Sequence, residues 1–321
     1  MQPPSLPSIP PPSIGRWAVG GAGAVGCFYG GRRALAGQDV HFLMRGDYDA
    51  VRRNGLNVRS AAGDFHLPRP QIHRDTAAIG PCDLVIIALK STQNTALASL
   101  LPPLLKDDTA LLTLQNGLGN EEFLAAQFPG RRILGGLCFV CINRTAPGEI
   151  LHVAQGQITL GEHGSAASPL THSIAAAFNE AGIPSQVDDS LARARWKKLV
   201  WNIPFNGLSI AGGCIDTAAI LASEPLSALV EDLMLEIIAT ANALGHALPV
   251  SLAGDMIRRT RTMSEYKPSS LIDFVEGREV EIDAIWGEPA LRARAAGHAM
   301  PRVEMLLHLL QAAVERRPLS P

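Results

Sequence analysis

The stretch RWAVGGAGAVG, residues 16–26, limits what this chain can fold into more than any other. Arg16 to Val19 reads as a short strand, and FYGGRRALAG after the glycines has helical character. Between them Gly21, Gly23 and Gly26 form G-x-G-x-x-G, and DVHFLMRG at 39–46 supplies a second strand. A strand, a glycine-rich turn, a helix and a strand within about 30 residues make a dinucleotide-binding βαβ unit. The first glycine makes the tight turn. The second lets backbone amides approach a pyrophosphate at the helix N-terminus, and the third lets helix and strand pack closely. A tight turn without a ligand is the alternative, and the strand–helix context weighs against it. Gly21, Gly23, Ala24, Val25 and Gly26 are therefore the candidate cofactor loop.

The end of the second strand selects the nucleotide. An NAD site wants an Asp or Glu about 20 residues beyond the glycines, to accept from the ribose hydroxyls. This chain has Phe42-Leu43-Met44-Arg45 there, and Asp47 falls two residues later, at the start of the next helix. Arg45 is placed to hold a 2′-phosphate by charge-assisted hydrogen bonds, so the expected cofactor is NADP(H). A solvated loop arginine is the plainer alternative. Two more apolar strands, CDLVIIALK (82–90) and ALLTLQNGLG (110–119), end at Lys90 and at Gln115-Asn116-Gly117. Ligands of open α/β sheets bind outside the carboxyl ends of strands, which makes Lys90 and Asn116 candidates to touch cofactor or substrate. Strand-like segments continue through RRILGGLCFVCIN, GEILHVA and QITLGEH. A helix at 173–182 and a last strand at 183–189 follow. The expected first domain spans 15–188.

From Ser190 the pattern turns helical, and 189–321 is the expected substrate and catalytic domain. The predicted fold is thus an α/β, Rossmann-type doubly wound sheet followed by an all-α domain. LSALVEDLMLEIIATANALG (226–245) has apolar residues at helical spacing and a glycine stop. WKKLVWNIPFNGLS (196–209) reads as a buried helix, yet it carries Lys198, Asn202 and Asn206 at intervals of four. Such positions share one helical face. Pro204, between the amides, is expected to kink the helix and open room beside them. Buried polar groups are costly unless paired, so the stripe either satisfies itself or faces a polar cavity. A ketone reductase has a use for it. Hydride transfer leaves negative charge on oxygen, which a desolvated lysine stabilises and protonates while amides orient the substrate. Lys197 is the rival, about 100° off the stripe.

Composition narrows the remaining classes. The 321 residues are 47% hydrophobic and 18% charged, with a net charge of −2. This gives no electrostatic footprint for nucleic acid or an anionic membrane. Apolar runs such as LVIIAL fall far short of the roughly 18 residues of a spanning helix. The proline-rich start, residues 1–14, reads as a disordered or polyproline tail without the marks of a secretory signal. Five cysteines imply no disulfide framework, and a cytoplasmic location is expected. Cys138 and Cys141 sit three apart on a strand, pointing to opposite faces, and no second C-x-x-C completes a zinc site. They read as packed thiols, and no metal is expected.

Taken together, AVGGAGAVG, the Arg45 strand end, LKSTQ (89–93), QNGLGN (115–120), KLVWNIPFN (198–206) and SSLIDFVEGREVEID (269–283) resemble the ketopantoate reductase family. The likeness covers nearly the whole chain after the proline-rich start. It implies that Lys198 is the general acid, with Glu281 near it and the substrate. It implies that Asn202, Asn206 and Ser269 bind substrate, and that Lys90, Gln93 and Asn116 lie between nicotinamide and substrate. The implied reaction reduces 2-dehydropantoate to (R)-pantoate with NADPH, in pantothenate and coenzyme A synthesis. The implied partner is a small 2-oxo acid, with no nucleic acid or membrane, in a monomer or homodimer. The alternatives are a reductase of another 2-oxo acid and a catalytically silent NADP(H)-binding sensor. Two departures from the family pattern, Gly20 before the first motif glycine and Trp286 after Glu281, bear on which 2-oxo acid fits.

Overall fold

The computed structural model describes residues 14–263 and 265–317. The expected proline-rich tail lies, but for Ile14, outside the described residues. The chain forms two compact units. The first holds the residues up to Leu89, Ala98–Leu114 and Gly130–Ser190. The second holds Lys90–Leu97, Gln115–Pro129 and the described residues from Leu191 on.

In chain order, β1 (Arg16–Gly20), α1 (Ala24–Leu35) and β2 (Asp39–Leu43) make the opening βαβ unit. Next come α2 (Tyr48–Asn54), β3 (Leu56–Ser60), β4 (Phe65–Leu67), β5 (Gln71–His73) and β6 (Leu84–Ile87). A short α3 (Leu97–Leu100), β7 (Ala110–Thr113) and α4 (Asn120–Gln127) lead to a long hairpin, β8 (Arg132–Ala146) and β9 (Glu149–Glu162). Then α5 (Pro169–Glu180) and β10 (Ser185–Val187) close the first unit.

The strands form one mixed sheet, ordered β4-β3-β9-β8-β7-β6-β1-β2-β5, with β10 paired to β9. From β5 to β8 neighbours run parallel, as an α/β reading demands. β9 returns antiparallel to β8, with breaks in register near Val140 and Ile142. β1 lies between β2 and β6, so the chain reverses direction across the sheet there. Such a switch point is where open α/β sheets take their ligands. Trp17, Ala18 and Val19 of β1 and all of β6 are fully buried, which explains their unbroken apolar runs. The strands are shorter than expected: 39–46 stops at Leu43, 82–90 narrows to 84–87, and 110–119 to 110–113. Their polar ends turn into loops, with Gly117 and Gly119 at φ +83° and +88°. Cys138 and Cys141 are buried thiols within β8, and no disulfide occurs among the described residues.

The second unit is helical: α6 (Leu191–Ala211), α7 (Thr217–Ala222), α8 (Glu224–Ala243), α9 (Leu252–Arg261), α10 (Ser269–Val275), α11 (Glu288–Ala295) and α12 (Pro301–Glu315). A π-helical turn, Asp283–Gly287, precedes α11. α6 is buried on nearly every side, its polar Arg195, Lys198, Asn202 and Asn206 included. Trp196, Leu199, Val200, Ile203 and Phe205 share one core with residues of α8 and α12. Pro204 sits inside α6 without interrupting it. The ring removes the amide that Val200's carbonyl would otherwise accept from. Among the described residues no helix is long and apolar enough to cross a membrane.

Candidate active site

Two groups of expected site residues lie in the two units. In the first, the glycine loop has the geometry a pyrophosphate needs. Gly21 has φ +94°, and a Cβ there would stand 2.5 Å from Leu89 N. At Gly26 a Cβ would stand 2.4 Å from Gly21 O, so the third glycine permits the close helix–strand contact. Gly23 differs: it is exposed, and a Cβ would meet nothing within 4 Å. It is the N-cap of α1, makes no side-chain cap, and no acid stands in the first turn. Ala24 and Val25, half-buried, begin the helix. The orphan amides of this turn and the open space over Gly23 suit an anionic ligand, so the loop fits a dinucleotide. A Cβ at Gly20 would meet Ile86 O at an ordinary 3.7 Å, so the departure there relieves no crowding.

Arg45 is exposed, two residues beyond β2. Asp47, two residues on, is buried and committed elsewhere. Its carboxylate pairs with Arg144 and accepts from Gly148 N at 3.1 Å. It precedes α2, as the sequence suggested, without a side-chain cap.

The second unit collects residues from four stretches of chain. Lys198 is buried, whereas Lys197 is exposed. Lys198 Nζ donates to Asn116 Oδ1 at 2.8 Å. Asn202 and Asn206 are 7% and 2% exposed, one and two turns further along α6. Asn206 is already engaged: its Nδ2 donates to Asn202 O at 3.0 Å, and its Oδ1 accepts from Ser270 N at 3.0 Å. It therefore ties α6 to the first turn of α10. Ser269 opens that helix and is exposed, while Ser270 is buried.

Glu281 is buried, and its Oε1 accepts from both Ser91 N and Ser91 Oγ at 2.8 Å. Burial pushes this carboxyl above its usual range; the Ser91 bonds and the Lys90 charge pull it back, and Asp273 adds to the rise. Lys90 Nζ sits 2.6 Å from Asp273 Oδ2 and donates to Glu279 O at 2.7 Å. Thr92 Oγ1 donates to Glu279 as well. The segment Lys90–Thr92 is thus laced to Asp273–Glu281. Gln93 is exposed, and its neighbour Asn94 enters the network instead, accepting from Gln115 Nε2 at 2.7 Å. Gly117 keeps Asn116 in place: a Cβ there would stand 2.3 Å from Ala284 O, and Leu118 N donates to that oxygen at 2.9 Å.

Sequence reasoning missed Ser91, Asn94, Asn120, Glu121, Arg195 and Asp273. It also gave Trp286 a place beside the substrate that the structure corrects. Trp286 is 0% exposed, and its Nε1 donates to Ile203 O at 3.1 Å. A Cβ on Gly207 would lie 3.1 Å from that nitrogen, so the small residue makes room for the large one. Trp286 is core and presents no surface to a ligand.

Residues 17–165 match the family model of ketopantoate reductase PanE/ApbA, and 190–314 match its C-terminal model. A 2-dehydropantoate 2-reductase of Nostoc sp. strain PCC 7120 is 43% identical over 301 residues, 92% of this chain and 94% of the relative. The crystal structure of 2-dehydropantoate 2-reductase from Geobacter metallireducens GS-15 is 47% identical, with a TM-score of 0.91, covering 93% of this chain and 99% of that one. D-mandelate dehydrogenase, solved with NADH and anilino(oxo)acetate, shares the fold at 22% identity and a TM-score of 0.84, over 94% of this chain and 98% of that one.

Proposed function

The chain belongs to the ketopantoate reductase PanE/ApbA family of nicotinamide-dependent oxidoreductases, and from that premise we propose that it reduces 2-dehydropantoate to (R)-pantoate with NADPH, Lys198 supplying the proton. The observation that carries this reading is the buried Lys198 ammonium, hydrogen-bonded to Asn116 on a helix face shared with Asn202. Bound nicotinamide supplies the hydride to the carbonyl carbon. The residues of the chain do the rest. As the C=O bond opens, charge gathers on oxygen, and Lys198 stabilises it and then gives up a proton, leaving a C–H and an O–H. Asn202 offers an amide to the substrate's polar groups, and Asn206 fixes α10 beside it. Glu281 and Lys90 complete a charged set around the substrate carboxylate and hydroxyl. In the first unit, Arg45 recognises the 2′-phosphate, favoured by the withdrawal of Asp47 into its pair with Arg144. The reaction belongs to pantothenate synthesis, in the cytoplasm.

The test is NADPH consumption by the purified protein with 2-dehydropantoate, beside a panel of other 2-oxo acids and with Lys198→Ala as control. The expected result is turnover of 2-dehydropantoate that falls about 10²–10⁴-fold in the variant. Turnover of a different oxo acid alone would keep the chemistry and replace the substrate. NADPH binding without any turnover would replace the enzyme by a nucleotide-binding sensor.

A further inference from the structure

Arg195 and Glu121 have no part in the chemistry described so far, yet they form a deeply buried ion pair, with side chains 3% and 4% exposed. A buried ion pair is no more stabilising than apolar residues of the same shape, so its presence calls for another account. The account lies in what the guanidinium spans. Arg195 Nε donates to Glu121 Oε1 at 2.9 Å, and Nη2 donates to the same oxygen. Arg195 Nη1 donates to Gln115 O at 2.7 Å. One side chain therefore clamps both ends of the segment 115–121.

Asn116 lies inside that clamp. Asn120 Nδ2 donates to Asn116 O at 2.9 Å, and Asn94 bridges Asn120 and Gln115 at 3.0 and 2.7 Å. On the other flank the Ala284 carbonyl lies against Gly117 and accepts from Leu118 N at 2.9 Å. The side-chain oxygen left to Asn116 is the one that Lys198 donates to. Lys198 stands three residues after Arg195 on α6, on the same face. The helix that carries the proton donor thus also carries the group that holds the donor's acceptor. A lysine at 195 would not serve equally, since one ammonium cannot set two N–H groups on the Glu121 carboxylate and a third on the Gln115 carbonyl in a fixed plane.

We propose that Arg195 and Glu121 are positioning residues, which hold Asn116 and through it aim the Lys198 ammonium at the substrate oxygen. The proposal rests on the reading of Lys198 as proton donor. Removing one partner alone would strand a buried charge and endanger the fold. The informative variant is Arg195→Met combined with Glu121→Gln, with Arg195→Lys as a gentler second. Melting temperature, kcat, both KM values and the pH profile of kcat are measured for each, alone and in an Asn116→Ala background. The expected double variant is folded and keeps its KM for NADPH. Its kcat falls about 10²-fold, as a misplacement of about 1 Å would cause, and its basic limb moves. Arg195→Lys loses part of kcat by the same route. In the Asn116→Ala background either change adds almost nothing, because the residue it acts through is gone. Wild-type kcat in a folded double variant would overturn the proposal. So would losses that multiply with Asn116→Ala in either variant, which would mark the pair as structural. Wild-type turnover by Lys198→Ala would overturn the proton-donor reading and this proposal with it, whereas a failed cycle overturns this proposal alone.

Discussion

The glycine loop after β1 and the polar cluster around α6 use the same residue for opposite reasons. Gly23 keeps space open: a Cβ there would meet nothing within 4 Å. Gly117 closes space: the missing Cβ lets the chain lie against Ala284 O, which a Cβ would approach to 2.3 Å. The first site is built from backbone amides around the open space over Gly23. The second is built from side chains, and its parts already hold one another. Backbone sites are set by a few neighbouring residues. Side-chain sites are set by whatever the fold brings together.

Exchanging both glycines for alanine separates the two designs. Gly117→Ala forces a left-handed alanine, costing about 1–2 kcal/mol, and drives the Asn116 segment off Ala284. A fall in kcat of about 10²-fold is expected, with little change in nucleotide affinity. Gly23→Ala should melt close to the parent and keep its kcat at saturating nucleotide. Its KM for NADPH should rise about tenfold or more, because the added Cβ fills the space a pyrophosphate would take and holds it off the backbone amides. Steady-state kinetics with both substrates varied reads this directly. If both variants changed the same parameter, the contrast between a backbone site and a side-chain site would fail.

The same contrast explains what the sequence made legible. The βαβ start, its glycines and the parallel order were readable because each depends on local spacing and on buried apolar runs. The Lys198–Asn202–Asn206 stripe was readable because a helix repeats every 3.6 residues. That Asn206 is bound to the N-terminus of α10 was not, because its partner Ser270 is 64 residues away. Arg195 and Glu121 are 74 residues apart, and neither carries a local mark of the other. The arginine gave no signal either, because Arg193 and Lys197 stand two residues to each side of it and only the fold buries Arg195 while exposing them. The strand ends were overrun because an apolar run continues past its last paired residue: Leu114 still bonds to Ile87 O after β7 has ended. Trp286 stood out only as a departure from the family pattern, while the room that receives it comes from Gly207 on another helix.

A second test bears on the nucleotide side. Arg45→Ala should leave turnover with NADH unchanged and raise KM for NADPH about tenfold, the scale of a charge-assisted hydrogen bond. An equal loss with both nucleotides would show that Arg45 supports the loop rather than reads the 2′-phosphate. The backbone site would then carry no side-chain selectivity.

The smallest effect expected is one of stability, and it sharpens the side-chain half of the comparison. Burial holds the Glu281 carboxyl above its usual range, despite two hydrogen bonds from Ser91. Below the unfolded value, about 4.3, the group is protonated in both states and contributes nothing to pH dependence. Between that value and the raised native one, the folded protein binds more protons than the unfolded chain, so stability falls as pH rises. Above the native value the loss levels off. Glu281→Gln abolishes the titration and keeps an oxygen for Ser91 to donate to. The variant's melting temperature relative to the parent should therefore match it in acid, draw ahead as pH rises through the carboxylate range, and then run parallel. A tenfold change in proton affinity is about 1.4 kcal/mol, or about 2 °C in a protein of this size. Melting curves from about pH 4 to pH 8 measure the gap. A gap that stays constant over that range would mean that Ser91 and Lys90 fully offset the burial, and that the side-chain site, like the backbone one, carries no electrostatic strain of its own.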